Sequence, residues 1–390
     1  MRHPLVLAGL VCGSLLAGCG DGGGNGPSPA GVPVRMVSAG SDNSCAVDND
    51  DQVWCWGAGD VGQLGNGTLA DSREPLPVAG GITAAVVSTG EFHACALTPA
   101  GEAWCWGTNF TGVLGTGAAT GREPLPLAVT GGHVFRAIAA GGGQTCALDT
   151  DARAWCWGQG EFGALGAGDT LDNYTPVAVQ GGLTFLTISS GSAHTCGVTT
   201  TNDAYCWGSG WRGQLGHGDT LDASVPVPVA GGHKFADVHA GAYHTCGLDL
   251  SGTAWCWGNN AFSELGNGQA VSAAVREPVA VGGTHTFTTI SVGRFHACGI
   301  TAAQDAWCWG QAQYGKLGND DIFPRSNPVL VLGAHKWKTI APAQNHTCAT
   351  DIKGVLYCWG RNSIGQLGNN QRGDALVPVP VAPLVAGTGS

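Results

Sequence analysis

The chain has 390 residues, 43% apolar and only 12% charged, with 66 glycines, 16 cysteines and a formal net charge of −11. The apolar share is enough for a substantial core, which excludes a disordered chain, and the glycine content predicts a turn-rich fold. With 17 Lys and Arg against 28 Asp and Glu, and no basic block, the chain repels phosphate backbones, which excludes nucleic acid as the expected partner.

The N-terminus reads MRHPLVLAGLVCGSLLAGC. Arg2 gives a positive start, and the apolar run from Leu5 to Leu16 is too short for a comfortable membrane span. Leu16-Ala17-Gly18 stands directly before Cys19, and the stretch resembles a bacterial lipoprotein signal. The resemblance implies cleavage before Cys19 and lipid attachment to its thiol. The expected organisation is a signal at 1–18, a Gly/Pro/Ser-rich tether at 19–31, a propeller at 32–385 and a short tail at 386–390. The expected location is the bacterial cell envelope, at the outer membrane or cell surface. There the lipid holds the chain to the membrane without spanning it.

From Cys45 onward one pattern recurs seven times. Its first cysteine is Cys45, Cys95, Cys146, Cys196, Cys246, Cys298 or Cys348, and its mate follows ten residues later at Cys55, Cys105, Cys156, Cys206, Cys256, Cys308 or Cys358. A period near 50 residues marks a propeller or solenoid. In the fifth repeat, Pro226–Val229, Phe235–His239, Thr245–Leu248 and Thr253–Trp257 are short, β-rich and bounded by Gly or Asp, so they read as strands. Four strands per repeat and no helical periodicity predict an all-β, seven-bladed β-propeller of four-stranded antiparallel blades.

Cys246 and Cys256 sit symmetrically about Ser251-Gly252, so a hairpin sets them opposite each other. Directly opposed positions suit a cross-strand disulfide, and export favours its persistence. Zinc is the competing reading, but zinc sites usually pair cysteines two to four residues apart, and no CxxC occurs. In Trp255-Cys256-Trp257 both indoles share one face of the strand and the sulfur takes the other. Recurrence at every blade assigns them to packing. The histidines two residues before the first cysteine (His93, His194, His244, His296 and His346) are read as hydrogen-bonded structural groups, with no metal expected. The first repeat lacks the PVPV-type strand and the chain ends in LVPVPVAPL. The ring is therefore expected to close by the C-terminal strand joining the N-terminal repeat.

VHAGAYHTCGLDLSGTAWCWGNNAFSELGNG and IAPAQNHTCATDIKGVLYCWGRNSIGQLGNN resemble the regulator of chromosome condensation repeat. The resemblance covers nearly all of residues 32–384 and implies a seven-bladed propeller. The family includes a nuclear exchange factor for a small GTPase and a secreted bacterial inhibitor of β-lactamases, so it implies a scaffold and no single activity. In the family, the residue before the GxxH histidine lies on the partner-binding face. By position these are Asp42, Phe92, Gly143, Ala193, Tyr243, Phe295 and Asn345, which differ from repeat to repeat. The long WGxNxxGxLGxG loop lies on the same rim and adds Phe110, Phe162, Trp211, Phe262 and Tyr314, with Glu91, Arg212 and Arg294 nearby.

Aromatics and arginines of this kind read as a protein-binding surface. No nucleophile elbow, HExxH or telling pair of carboxylates occurs, so no catalytic residue and no cofactor is expected. GxLGxG opens no helix and is discounted as a phosphate loop. The GDTLD segments, Asp169–Asp172 and Asp219–Asp222, read as Asx-turns in preference to calcium loops. The expected function is a non-catalytic, lipid-anchored, monomeric propeller that binds a protein. A glycan is the alternative ligand, and a polysaccharide-active enzyme is the weaker hypothesis.

Overall fold

A computed structural model describes residues 33–384. Cys19 and the expected signal, tether and tail lie outside the described residues. Residues 34–77, 86–128, 135–178, 185–228, 235–280, 287–330 and 337–380 each form one four-stranded antiparallel meander. In blade 5 the strands are Phe235–Ala240, His244–Asp249, Ala254–Asn260 and Val271–Ala280, counted from the central channel outward.

The hairpin register sets Cys246 opposite Cys256, and all seven predicted pairs form disulfides with Cα atoms 4.1 Å apart. Closing each such loop stabilises by about 2.7 kcal/mol in the chain-entropy model. The core lies in the seams between blades. Cys246, Cys256, Leu248 and Leu265 of blade 5 pack on Phe287, Ile290 and Trp309 of blade 6. Trp257 takes the opposite face, fully buried against blade 4 and Phe235, with Trp255 half-buried beside it. The disulfide of one blade thus meets the tryptophan of the next, as the alternation of side chains along the strand requires.

The GxLG turn owes its glycine to this seam. Gly216 has φ +70°, and a Cβ there would lie 2.6 Å from the indole nitrogen of Trp257. Only glycine tolerates both the left-handed backbone and that approach. The indole Nε1–H donates to the Gln214 carbonyl at 2.9 Å, so the turn is both stacked and hydrogen-bonded. The same fit recurs from seam to seam, including Gly368 of blade 7 on Trp56 of blade 1.

The closure expected from the sequence does not form. The C-terminal strand Ala375–Pro380 pairs with Leu356–Gly360 in its own blade, and blade 1 has its own outer strand, Ser72–Pro77. The proline-bearing strand ends each blade; it does not open the next. Proline lacks an N–H and cannot pair on both sides, so PVPV suits an outermost edge, where it also discourages edge-to-edge association. The ring closes through an ordinary seam between blades 7 and 1. Trp56 Nε1 donates to the Gln366 carbonyl at 3.0 Å, and the Val34 amide to that of Gly354 at 3.0 Å.

Candidate functional site

The GxxH turns and the long loops share one rim, and the seams hold both in place. His93, His194 and His296 are buried, with Nε2 2.8, 2.9 and 2.8 Å from the hydroxyls of Thr145, Thr245 and Thr347 in the following blade. His346 meets Ser44 in the same way at 2.7 Å, across the closing seam. Each threonine hydroxyl donates to the carbonyl of Val113, Gln214 or Lys316, which also accepts the tryptophan indole. With its proton committed to the carbonyl, the hydroxyl accepts from histidine Nε2–H. Burial keeps these imidazoles neutral, lowering His93 to about 4 and His194, His244 and His346 to about 3. These are structural histidines, each confined to its own seam. Among the described residues no three His, Cys, Asp or Glu side chains group to hold a metal ion.

The GDTLD aspartates also hold the rim in shape. Asp169 and Asp219 accept the amides of Leu171 and Leu221, while Asp172 and Asp222 accept those of Gly160 and Gly210. One oxygen of each carboxylate is engaged by the backbone; the contacts of Asp169 and Asp219 to the amide two residues on are Asx-turns, and Asp219 also meets His217 Nε2 at 2.9 Å.

On this frame the aromatic candidates divide into two groups. Trp211 meets Tyr243 edge to face at 5.8 Å, and Phe262 meets Phe295 likewise at 6.2 Å. In each pair the long loop of one blade touches the GxxH turn of the next. Phe92, Phe110 and Phe162 project into solvent at 49%, 66% and 38% exposure. Gly143 and Ala193 occupy the turns that follow Phe110 and Phe162, so those rings have no aromatic neighbour to meet. Phe162 and Tyr314 have φ of 61° and 67°, a left-handed backbone that bulky residues rarely adopt. Asn345 is a correction to the expected face: it is only 7% exposed and presents little surface.

Two charged candidates, Glu91 and Arg294, lie on the inner edge and line the mouth of the central channel. An Arg294 Nη1 to Glu91 carboxylate contact of 2.7 Å bridges blades 6 and 2 across that mouth, and the Ser192 hydroxyl of blade 4 donates to the same carboxylate. The sequence does not reveal this strap, since it depends on which blades face each other across the ring. Asp42 accepts from Gln366 at 3.1 Å, with Arg361 at 3.9 Å, and burial raises its carboxyl pKa against the pull of that arginine.

Lys316 is also missed by sequence reasoning. It occupies the slot filled by Gln63 and Gln214 in other repeats. It is fully buried, donates to the Gln311 side chain and the Gln344 carbonyl, and sits 5.5 Å from the centre of the Phe295 ring. Burial lowers its ammonium to about 7, partly offset by Glu264. The unusual residue in a repeated slot is the signal that could have found it.

An RCC1-like domain model matches residues 79–389, and models of the regulator of chromosome condensation repeat match residues 50–97 and 34–63. The human E3 ubiquitin-protein ligase HERC2 is 28% identical over 185 residues, which is 43% of this chain, and the match spans about 3% of that relative's length. Human WBSCR16 superposes with a TM-score of 0.77 at 18% identity, covering 85% of this chain and 94% of that one. Prp20p from Saccharomyces cerevisiae gives a TM-score of 0.76 at 20% identity, with 90% and 87% covered. At these identities the solved structures bear on the fold alone. The chain belongs to the RCC1-like propeller family.

Proposed function

We propose that this protein is a non-catalytic interaction module, held to the bacterial envelope by lipid on Cys19, whose loop rim binds another protein. The observation that carries the reading is the set of solvent-facing aromatics on one rim, led by Phe92, Phe110 and Trp211. Exposed aromatics beside arginines have the composition of a protein-binding hot spot. The left-handed backbone at Phe162 and Tyr314 supports it, because unfavourable conformations at loop tips are retained where the side chain serves a contact. Among the relatives, Prp20p is described as binding Gsp1p and histones, which gives protein binding as a precedent for the fold. Guanine-nucleotide exchange is not carried over, since an exported, acylated chain is separated from cytosolic GTPases.

The test is a capture experiment with the immobilised full chain exposed to envelope and secreted fractions. A variant carrying Phe92→Ala, Tyr243→Ala and Phe295→Ala serves as control, after thermal melting has shown it folded. A protein retained by the wild type and lost by the variant is the expected result. Equal retention by both would reject the rim as the binding surface.

A further inference from the structure

The inner rim is electrostatically divided. The sites compared are the two variable GxxH positions and the long-loop residues up to the one before the GxLG leucine. There, blades 1, 2 and 3 contribute Asp42, Asp60, Glu91 and Glu161 and no cation. Blades 4, 6 and 7 contribute Arg212, Arg294, Lys316 and Arg361 and no acid. Between them, blade 5 supplies Glu264, whose carboxylate is buried and consumed by the Asn259 amide and the Phe262 backbone N–H. Across the channel mouth Glu91 bridges to Arg294, and where the arcs meet at blades 7 and 1 Arg361 stands 3.9 Å from Asp42.

The basic arc is also the one with paired aromatics. The Arg212 guanidinium lies 4.0 Å over the Trp211 ring, that of Arg294 5.5 Å over Phe295, and that of Arg361 5.5 Å over Tyr314. A guanidinium stacked on a ring is held flat for a planar acceptor; Arg212 has no carboxylate partner among the described residues, whereas Arg294 and Arg361 already face Glu91 and Asp42 and would share themselves with a ligand. In a chain of net charge −11 with only 17 cations, four cations together on one arc oppose the overall field.

We propose that the arc of blades 4–7 docks an acidic segment of a protein partner, with Arg212, Arg294 and Arg361 receiving its carboxylates and the Trp211–Tyr243 and Phe262–Phe295 pairs receiving its apolar side chains. The acidic arc of blades 1–3 repels the same segment and fixes the direction in which it lies. This rests on the protein-binding reading above and adds the chemistry of the ligand. Carboxylates match the guanidinium edge bidentately, and charge complementarity governs orientation and on-rate.

The test uses random copolymers of glutamate and tyrosine as the probe, with dextran sulfate as an anion lacking peptide and aromatic groups. Retention on the immobilised full chain is measured at low salt for the wild type, for Arg212→Gln/Arg361→Gln and for Asp60→Asn/Glu161→Gln. Each variant is first shown folded by its melting curve. The expected result is retention of the copolymer by the wild type, weakened by about tenfold in the arginine variant. The variant in the acidic arc should bind at least as well as the wild type. Failure to retain the copolymer, equal loss in both variants, or equal retention of dextran sulfate would overturn the proposal. A chain that captures an envelope protein through its aromatics yet ignores the copolymer would overturn this inference alone and leave the broader reading standing.

Discussion

The seams and the rim are built from the same repeat and follow opposite rules. At the seams, the disulfide, the buried tryptophan and the GxLG glycine recur with little change around the ring, and a histidine bonded to a hydroxyl of the next blade recurs at four of the seven seams. On the rim, the residue one place before the histidine is Asp, Phe, Gly, Ala, Tyr, Phe or Asn. Packing is a local problem with one good solution, so each blade reuses it. Recognition, as proposed for the rim, would be a problem posed once by the whole face, with each blade supplying a different part of it. Within this protein, repetition marks the packing of the seams, and disagreement marks the face on which the proposed binding rests.

The comparison breaks most severely if a seam is emptied. Trp257→Ala removes the largest side chain between blades 4 and 5, with its hydrogen bond to Gln214. The expected loss is about 4 kcal/mol, read by denaturant unfolding, as for large aromatic truncations in close-packed cores. A loss below the range for surface substitutions would mean the seam is not the stabilising unit. Replacing Cys246 and Cys256 together by Ala should cost less, about 2.7 kcal/mol, because the hairpin itself remains and only the constraint on the unfolded chain is removed. A matching drop on reduction of the wild type would need to be larger, since it opens all seven staples.

Acid distinguishes the two regions through the histidines. His194 titrates near 3 when folded and near 6.5 when unfolded, because burial disfavours its charge. Below pH 6.5 the unfolded chain binds the extra proton. Stability is therefore complete above that pH and falls as acid is added toward pH 3. Each buried histidine contributes a slope of about 1.4 kcal/mol per pH unit within the window. Gln144 already fills the histidine slot in blade 3, donating to the carbonyls of Gly191 and His194. His194→Gln should therefore fold and lower the acid slope by one proton. An unchanged slope in urea unfolding at pH 6 and pH 4.5 would show that His194 is not held neutral.

Much of the seam could be read in the sequence, and little of the rim's geometry could. Cysteine spacing gave the disulfides because a hairpin converts symmetric positions into opposed ones. Alternation placed Trp255 and Trp257 together, away from the sulfur. The phase of the blades was misread, since a repeat looks the same wherever it is cut. The prolines of the outer strands held the missing clue, because only an edge tolerates them. The variable position before the histidine points to Phe92 and the long loop to Phe110 and Trp211, all three exposed in the structure, whereas nothing in the sequence points to the Glu91–Arg294 strap. Its members lie far apart in the chain and meet only because blades 2 and 6 face each other across the channel. Asn345 failed for the opposite reason, since position in a variable turn does not determine exposure.

The seam between blades 5 and 6 keeps the histidine but lacks its hydroxyl partner, and it offers the finest test. Between blades 5 and 6, Ala297 stands where blades 3, 5 and 7 place Thr145, Thr245 and Thr347 beneath a histidine. Among the described residues, His244 Nε2 and Trp309 Nε1 are left there without acceptors. Ala297→Thr should restore the hydroxyl that receives the imidazole proton and should raise stability by about 1 kcal/mol, the net value of a buried hydrogen bond. A loss of stability would mean that blade 6 has closed over the missing hydroxyl and has no room for it. This seam lies beneath the Phe262–Phe295 pair and between the Glu264 and Lys316 loops, on the basic arc of the rim. If the tightened variant melts higher yet binds the rim's ligand less well, the absent threonine is a concession to movement of that face. If both properties improve, the alanine reflects no functional demand, and the rim is rigid at the point where its aromatics meet.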